Sequence, residues 1–170
     1  MTKPTTMQQG HSNDFQTPAW VLNPLIQYIP DGIVWECACG DGNLVKGLSY
    51  YIETIGTDLM TGTDFITCDI PDGVTSIITN PPYTIKNKFL ERCYETGLPF
   101  ALLLPLTTLE TTTRQNLFRE NGLEIIFLPK RVNFKTPSGE GSGSWFATAW
   151  FTNGLNIGKE LTFWQDLEQV

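Results

Sequence analysis

The tetrapeptide Asn80-Pro81-Pro82-Tyr83 carries the most specific chemistry in this sequence. It follows the apolar run 76–79, and two consecutive prolines, each without a backbone N–H and with φ fixed at about −65°, must end a strand there. The turn combines an amide oxygen and a backbone carbonyl, which are two acceptors, with a tyrosine ring, which is a stacking surface. Together these groups suit a planar base that bears an exocyclic amino group.

A second turn, Gly40-Asp41-Gly42, lies between a predicted strand and a predicted helix, where open α/β sheets bind nucleotide-like ligands. The third glycine of the dinucleotide fingerprint is absent because Val45 stands there, and no Gly-Lys-Ser/Thr phosphate loop is present. Glu36 and Asp41 would repel a pyrophosphate but attract a ligand with ammonium and sulfonium groups. S-adenosylmethionine has that charge pattern, and its carboxylate can use N–H groups at a helix N-terminus.

Two further carboxylates fit the same ligand. Asp58 ends the second predicted strand, where it is placed to accept hydrogen bonds from ribose hydroxyls. Asp64-Phe65 follows shortly afterwards and could meet the adenine of the ligand. A capped turn with a core phenylalanine explains Asp64-Phe65 equally well.

The charge balance of the chain bears on its partners. A net charge of −7 argues against a general nucleic-acid binder, because phosphate affinity comes mainly from Lys and Arg. Five of the eleven basic residues nevertheless fall in two short stretches, Lys86 and Lys88, then Lys130, Arg131 and Lys135. Solvated surfaces explain these stretches as well as nucleic-acid contacts do.

Composition excludes several other classes of protein. The four cysteines form no Cys-x-x-Cys pair and the chain has one histidine, so we expect neither a metal site nor a serine–histidine triad. Reduced cysteines are typical of a cytosolic protein, and cytoplasmic localisation is predicted. No apolar run is long enough to cross a bilayer and no signal-peptide pattern is present, so no membrane partner is expected.

Predicted strands alternate with predicted helices, which indicates a parallel α/β sheet. The last two strands lie too close together for a helical crossover, so we expect an antiparallel pair at the sheet edge. A polar arm is predicted over 1–13, a single domain over 14–170 and a mobile loop over 138–144. The predicted helices cover 19–28, 43–51, 88–96 and 110–121, and the predicted strands cover 33–35, 54–57, 76–79, 100–104, 125–128 and 145–151.

Several motifs, in their order along the chain, resemble those of the amino methyltransferases. These enzymes depend on S-adenosylmethionine and methylate exocyclic amino groups, chiefly adenine N6 in DNA. The stretch 131–154 is similar to the C-terminal part of small adenine methyltransferase-like proteins of bacteriophages and prophages. The resemblance implies a Rossmann-like class I methyltransferase fold, with a mixed seven-stranded sheet, an antiparallel edge strand and S-adenosylmethionine as cofactor. The matching motifs are Phe15-Gln16-Thr17-Pro18, Glu36-Cys37-Ala38-Cys39-Gly40-Asp41-Gly42, Asp58 and Asn80-Pro81-Pro82-Tyr83.

The resemblance also implies residue roles. Asn80 and the Pro81 carbonyl would bind the target amino group, Tyr83 would stack on the base and Phe134 would cover its opposite face. The predicted catalytic residues are Asn80, Pro81, Pro82 and Tyr83. The predicted cofactor-binding residues are Phe15, Thr17, Pro18, Glu36, Cys37, Gly40, Asp41, Gly42, Asp58, Leu59, Asp64, Phe65 and Asn80. The predicted substrate-binding residues are Tyr83, Lys86, Lys88, Arg131, Phe134 and Lys135.

Adenine-N6 methylation of DNA is the function that the sequence favours, and alternatives remain open. RNA adenine and protein glutamine methyltransferases carry the same tetrapeptide motif. A non-catalytic, cofactor-binding protein that acts by interaction, such as a phage counter-defence protein, also fits an acidic chain. Hydride transfer is disfavoured by the missing third glycine. We see no extra target-recognition region, which predicts weak sequence readout, a single-stranded substrate, or recognition by a protein partner or a second copy.

Overall fold

The computed structural model describes residues 16–136, 139–140, 146–158 and 162–163. The predicted polar arm and Phe15 therefore lie outside the described residues, and for Lys135 only the backbone is described. No helix in these segments is both long and apolar enough to cross a bilayer.

Strands and helices alternate along the chain up to residue 127, as predicted, although the connection from residue 57 to residue 73 contains a 3₁₀ helix and no α-helix. The strands are β1 (Ile33–Glu36), β2 (Glu53–Gly56), β3 (Val74–Thr79), β4 (Phe100–Pro105), β5 (Glu124–Phe127), β6 (Lys135–Thr136), β7 (Gly139–Glu140), β8 (Thr148–Asn153) and β9 (Thr162–Phe163). The α-helices are α1 (Asn43–Ser49), α2 (Lys86–Thr96) and α3 (Thr112–Asn121). Short 3₁₀ helices cover Ala19–Leu22, Ile26–Tyr28, Leu59–Thr61, Tyr83–Ile85 and Leu106–Leu109.

Seven strands form one mixed sheet in the order β2-β1-β3-β4-β8-β5-β9. β1 pairs in parallel with β2 and β3, and β3 pairs in parallel with β4. The predicted antiparallel pairing of the last two long strands is confirmed, because β8 runs antiparallel to β5. The predicted position at the edge is wrong, since β8 pairs inward with β4 and the short β9 pairs in parallel with β5 on the other side, which makes β9 the edge strand. Five of the six residues of β8 are buried, and such a strand needs partners along both edges.

Two hydrophobic clusters cover the two faces of the sheet, as expected where side chains alternate along a strand. Trp150 belongs to the cluster beneath α1, and its neighbour Phe151 belongs to the cluster beneath α2. α1 contributes Leu44 and Leu48 to the first cluster. α2 contributes Phe89, Leu90 and Cys93 to the second, so helices cover both faces.

Two sequence predictions of local structure are corrected. The helix predicted over 19–28 is instead a pair of 3₁₀ helices, because Pro24 has no N–H to continue an α-helix and the Trp20 carbonyl accepts from Asn23. Within the loop predicted over 138–144, Gly139–Glu140 forms β7 and pairs antiparallel with β6. The rest of that loop lies outside the described residues.

The carboxyl ends of β1, β2 and β3 meet at one edge of the sheet. The glycine turn follows β1, Asp58 follows β2 and the Asn80-Pro81-Pro82-Tyr83 turn follows β3. Three motifs that are far apart in the sequence are therefore brought together, at the edge where open α/β sheets bind ligands.

The Trp150 indole attaches the segment that precedes β1 to the sheet. Its Nε1 donates a hydrogen bond of 2.7 Å to the Val21 carbonyl, and both residues are fully buried. We predict that Trp150→Phe lowers the free energy of unfolding by about 1–3 kcal/mol, because it leaves a buried carbonyl without its donor. Urea denaturation measures the change.

Trp20→Phe is the matched control, because it makes the same substitution at a half-buried ring. Equal losses of stability at the two positions would contradict the prediction, since they would show that ring size rather than the buried hydrogen bond sets the effect.

Candidate active site

A cleft with a volume of about 220 Å³ lies at this edge of the sheet. Its walls come from residues 16–17, the turn after β1, the segment 58–65 after β2, the proline turn after β3, and α2. The sequence-predicted residues that line it are Thr17, Glu36, Cys37, Gly40, Asp58, Leu59, Asp64, Phe65, Asn80, Pro81 and Pro82.

Nearly half of the residues that line the cleft were not predicted from the sequence. Most of these residues lie beside predicted ones, so their proximity in the chain was the available signal. Leu59 and the missed Met60 are 65% and 91% exposed and form an apolar lip at the mouth of the cleft. The missed lining residues are Gln16, Ala38, Cys39, Asn43, Leu44, Met60, Thr63, Ile85 and Phe89.

Several predicted site residues do not line the cleft. Phe134 is 4% exposed and packs in the hydrophobic core, so the structure contradicts its predicted place on the face of a base. Val132 and Phe134 are buried while Arg131 and Asn133 are exposed, the alternation of an extended chain that covers a core. The other predicted residues outside the lining are Pro18, Asp41, Gly42, Tyr83, Lys86, Lys88 and Arg131.

The glycine turn has the left-handed backbone that its composition predicts. Gly40 and Gly42 have φ of +49° and +84°, in a region of backbone conformation that residues other than glycine rarely adopt. A Cβ atom on Gly40 would lie 3.2 Å from Nε2 of Gln16, so residue 16 closes over the turn.

Asp58 ties the glycine turn to the next segment of the cleft. Its Oδ2 accepts a hydrogen bond of 2.9 Å from the Gly40 N–H, and its Oδ1 accepts one of 2.8 Å from the Met60 N–H. An ionised carboxylate has about four acceptor sites, so these two bonds leave capacity for a ligand. Asp64 is held similarly, since its Oδ1 accepts from the Ile66 N–H at 3.0 Å.

Glu36 is a buried acid in the wall of the cleft. It is 2% exposed, and its Oε1 accepts a hydrogen bond of 3.1 Å from the Ala38 N–H. Burial raises the pKa of Glu36 to about 7; the Thr79 side chain and the Ala38 N–H partly oppose that rise, and the Asp58 charge adds to it. A cation that entered the cleft would favour the ionised form of this carboxyl.

Asn80 forms the central polar contact of the cleft. Its Nδ2 donates a hydrogen bond of 2.9 Å to Oγ1 of Thr17, which is 5% exposed. Its Oδ1 is buried and has no hydrogen-bond partner among the described residues. Buried acceptors are normally paired, so an unpaired one in a ligand-sized cleft marks a place where a donor would bind favourably.

Tyr83 lies beside the cleft rather than in its lining. Its ring is half-buried and packs edge-on against Phe146, with ring centroids 5.8 Å apart. Its hydroxyl is buried without a hydrogen-bond partner in the described part of the chain, and burial raises the pKa of the phenol. Sequence reasoning missed Phe146 because it assigned this residue to the last strand, which instead begins at Thr148.

Comparison with known proteins defines the fold. The sequence matches no protein-family model, and no curated protein matches it. Among solved structures, a protein of Pyrococcus horikoshii assigned as an RNA methyltransferase aligns with a TM-score of 0.58 at 12% identity, over 88% of this chain and 91% of that one. A type I restriction-modification methyltransferase subunit from Streptococcus thermophilus gives a TM-score of 0.55 at 15% identity, over 82% of this chain. A dimethyladenosine transferase from Plasmodium falciparum gives 0.53 at 16% identity, over 81% of this chain.

The chain has the α/β Rossmann-like methyltransferase fold, which confirms the predicted fold class. It spans 44% of the length of the Streptococcus protein and 62% of the Plasmodium protein.

Burial of the Glu36 carboxyl predicts how the stability of the folded protein depends on pH, whatever the function of the cleft. Its pKa is about 7 in the folded protein against 4.5 for an ordinary glutamate, so its contribution to stability is fully present below pH 4.5 and is lost as pH rises through 7. The loss is about 3 kcal/mol. Glu36→Gln should therefore lose less stability than the wild type between about pH 4.5 and about pH 8, two values that span this window.

Thermal or urea unfolding at the two pH values tests this prediction. Glu53→Gln, at an exposed position on β2, is the matched control and should follow the wild type. Parallel pH profiles for Glu36→Gln and wild type would contradict it.

Proposed function

We propose that the protein is an S-adenosylmethionine-dependent methyltransferase that acts on the exocyclic N6 amino group of adenine in DNA. The observation that carries the proposal is the buried, unpaired Oδ1 of Asn80 in the wall of a cleft that also contains the glycine turn and Glu36. The similar folds include a restriction-modification methyltransferase and a dimethyladenosine transferase, which supports a nucleic-acid substrate.

The walls of the cleft suit the charges of this cofactor. Glu36 would take the ammonium group of the methionine end, and the second lone pairs of Asp58 would accept from the ribose hydroxyls. Leu59 and Phe65 would contact the adenine ring. Phe65 is held for this by ring contacts with Trp35 and Phe89, at centroid distances of 5.2 and 4.8 Å.

Chemistry at the amino group needs acceptors more than it needs a base. An amine on an aromatic ring is a poor nucleophile, because its lone pair is delocalised into the ring. Acceptance of its hydrogens by Asn80 Oδ1 and the Pro81 carbonyl favours tetrahedral geometry and disperses the developing positive charge. A bound cofactor would supply the methyl group: its C–S bond would break as the N–C bond forms, a thioether would leave and the amine would lose a proton to water. The part left to the residues of the cleft is mainly positioning.

Tyr83 and Phe146 would form an aromatic wall for the incoming base. A base taken out of a duplex loses its stacking, and contact with an aromatic ring offsets part of that cost. Adenine in RNA is a second candidate substrate, favoured by the similarity to the Pyrococcus protein, which this chain matches over nearly its whole length.

Methyl-labelled cofactor, incubated with DNA, RNA or cell lysate, tests the proposed function directly. We expect label on adenine N6 of DNA, and we expect Asn80→Ala to lower the rate about 10²–10³-fold because it removes a transition-state acceptor. Cofactor affinity of the variant, measured by calorimetry, should stay close to that of the wild type.

Asn133→Ala, at an exposed position, is the control and should transfer methyl groups normally. Label on protein alone, or on no substrate, would overturn the proposal. Loss of cofactor binding together with transfer in Asn80→Ala would show that Asn80 has a structural role.

Thr17 is proposed as the residue that positions the Asn80 amide. Its hydroxyl accepts from Nδ2 and so directs Oδ1 of the same amide away from Thr17. Thr17→Val keeps the shape of the side chain and removes the acceptor. We expect it to lower kcat about tenfold or more, because the free energy of one buried hydrogen bond corresponds to about that factor. Thr17→Ser should restore most of kcat, and cofactor affinity that falls as far as kcat in Thr17→Val would contradict the assignment.

A further inference from the structure

Lys86 lies next to the cleft, at the first residue of α2. It follows Ile85, which lines the cleft, and its half-buried Nζ donates a hydrogen bond of 3.3 Å to the Tyr83 carbonyl. The ammonium group is therefore held beside the residue that would stack on the target base.

Arg114 brings a second positive charge to the same place. Its guanidinium is fixed by neutral acceptors, with Nε donating to the Thr108 carbonyl at 2.7 Å and Nη1 to Oδ1 of Asn87 at 3.2 Å. Nη2 also approaches the Thr107 carbonyl at 3.4 Å. These bonds engage three of about five N–H donors and orient the guanidinium. The remaining donors are available to a ligand, and because all three acceptors are neutral, the positive charge is retained.

Asn87, which accepts from Arg114, directly follows Lys86, so the two cations meet at the first turn of α2. Burial lowers the pKa of Lys86, and the charge of Arg114 lowers it further. Among the described residues the one ion pair within 4.0 Å is Arg92–Glu95, so neither Lys86 nor Arg114 forms an ion pair there.

Two carboxylates also lie near this pair. Glu91 and Glu120 line the groove beside Arg114, but neither is within 4.0 Å of it. The N-terminus of α2 adds its own positive potential at Lys86. Two neighbouring cations, neither of which has a carboxylate within 4.0 Å among the described residues, indicate a place where an anion would bind favourably.

We propose that Lys86 and Arg114 form an anion site that binds a backbone phosphate of the nucleic-acid substrate beside the target nucleotide. The choice of a nucleic-acid phosphate rests on the proposed function. The planar guanidinium offers paired donors that match phosphate oxygens, and the lysine adds a point charge. Because the site adjoins Tyr83, it would hold the strand at the nucleotide whose base enters the cleft.

Such a contact explains how an acidic chain could hold a polyanion. Phosphate contacts set the position and orientation of a strand and carry no sequence information directly. The site would therefore serve any strand that presents an adenine, in keeping with the weak sequence readout expected from the sequence.

Binding of a fluorescent, adenine-containing single-stranded DNA oligonucleotide at several salt concentrations tests the proposal. We expect Lys86→Gln and Arg114→Gln each to weaken binding and to reduce the slope of log K against log salt by about 0.7, the contribution of one phosphate contact on a single strand. Arg114→Lys keeps the charge and should retain most of the slope.

Arg119→Gln is the matched control, because it removes the same charge from the same helix. Arg119 is exposed and its guanidinium also donates to neutral side chains, those of Asn116 and Gln115. The slope should be unchanged in this variant. Unfolding midpoints and cofactor affinity of all variants should match those of the wild type. If Arg114→Gln does not fold, the salt slope of Lys86→Gln alone tests the proposal.

Slopes for Lys86→Gln and Arg114→Gln that equal that of Arg119→Gln would overturn the proposal, as would wild-type binding that does not depend on salt. Failure of the proposed function is a separate result. In that case the oligonucleotide would bind with the expected slopes, but no methyl group would be transferred to it.

Discussion

Parallel pairing of β1 with β2 and β3 is the constraint on which the site depends. The register sets Trp35 opposite both Ile55 and Ile77, so the three strands end at nearly the same level. The segments that follow these strands are the glycine turn, the segment that begins at Asp58 and the proline turn, and all three line one cleft. Asp58 then joins the first two segments through hydrogen bonds, and Thr17 joins the N-terminal segment to the third. A slip in strand register would separate groups that have to act on one ligand.

Sequence alone predicted the fold class and most of the polar cleft, because those features depend on local chemistry. Consecutive prolines end a strand, and glycines between a strand and a helix make a turn. Each of the six predicted strands was found within two residues of its predicted bounds, except the last, which begins three residues later than predicted; β6, β7 and β9 were not predicted. The cofactor residues that were predicted from their position at strand ends, Glu36, Gly40 and Asp58, all line the cleft.

Features that depend on contacts between distant segments could not be predicted. The Thr17–Asn80 hydrogen bond joins residues 63 positions apart, and nothing in either motif reveals it. Phe134 was assigned to the site from the family resemblance, but it is 4% exposed and belongs to the core. Arg114 went unnoticed because its place beside Lys86 depends on how α3 packs against α2.

A crystal structure with an S-adenosylmethionine analogue that carries an amino group in place of the transferable methyl is the decisive experiment on this cleft. We expect the ammonium of the amino-acid end to lie within hydrogen-bond distance of Glu36, and the substituted amine to face Oδ1 of Asn80. An analogue bound outside this cleft, or bound inside it with Asn80 Oδ1 turned away from the amine, would show that these residues do not bring a methyl donor and an amino group together.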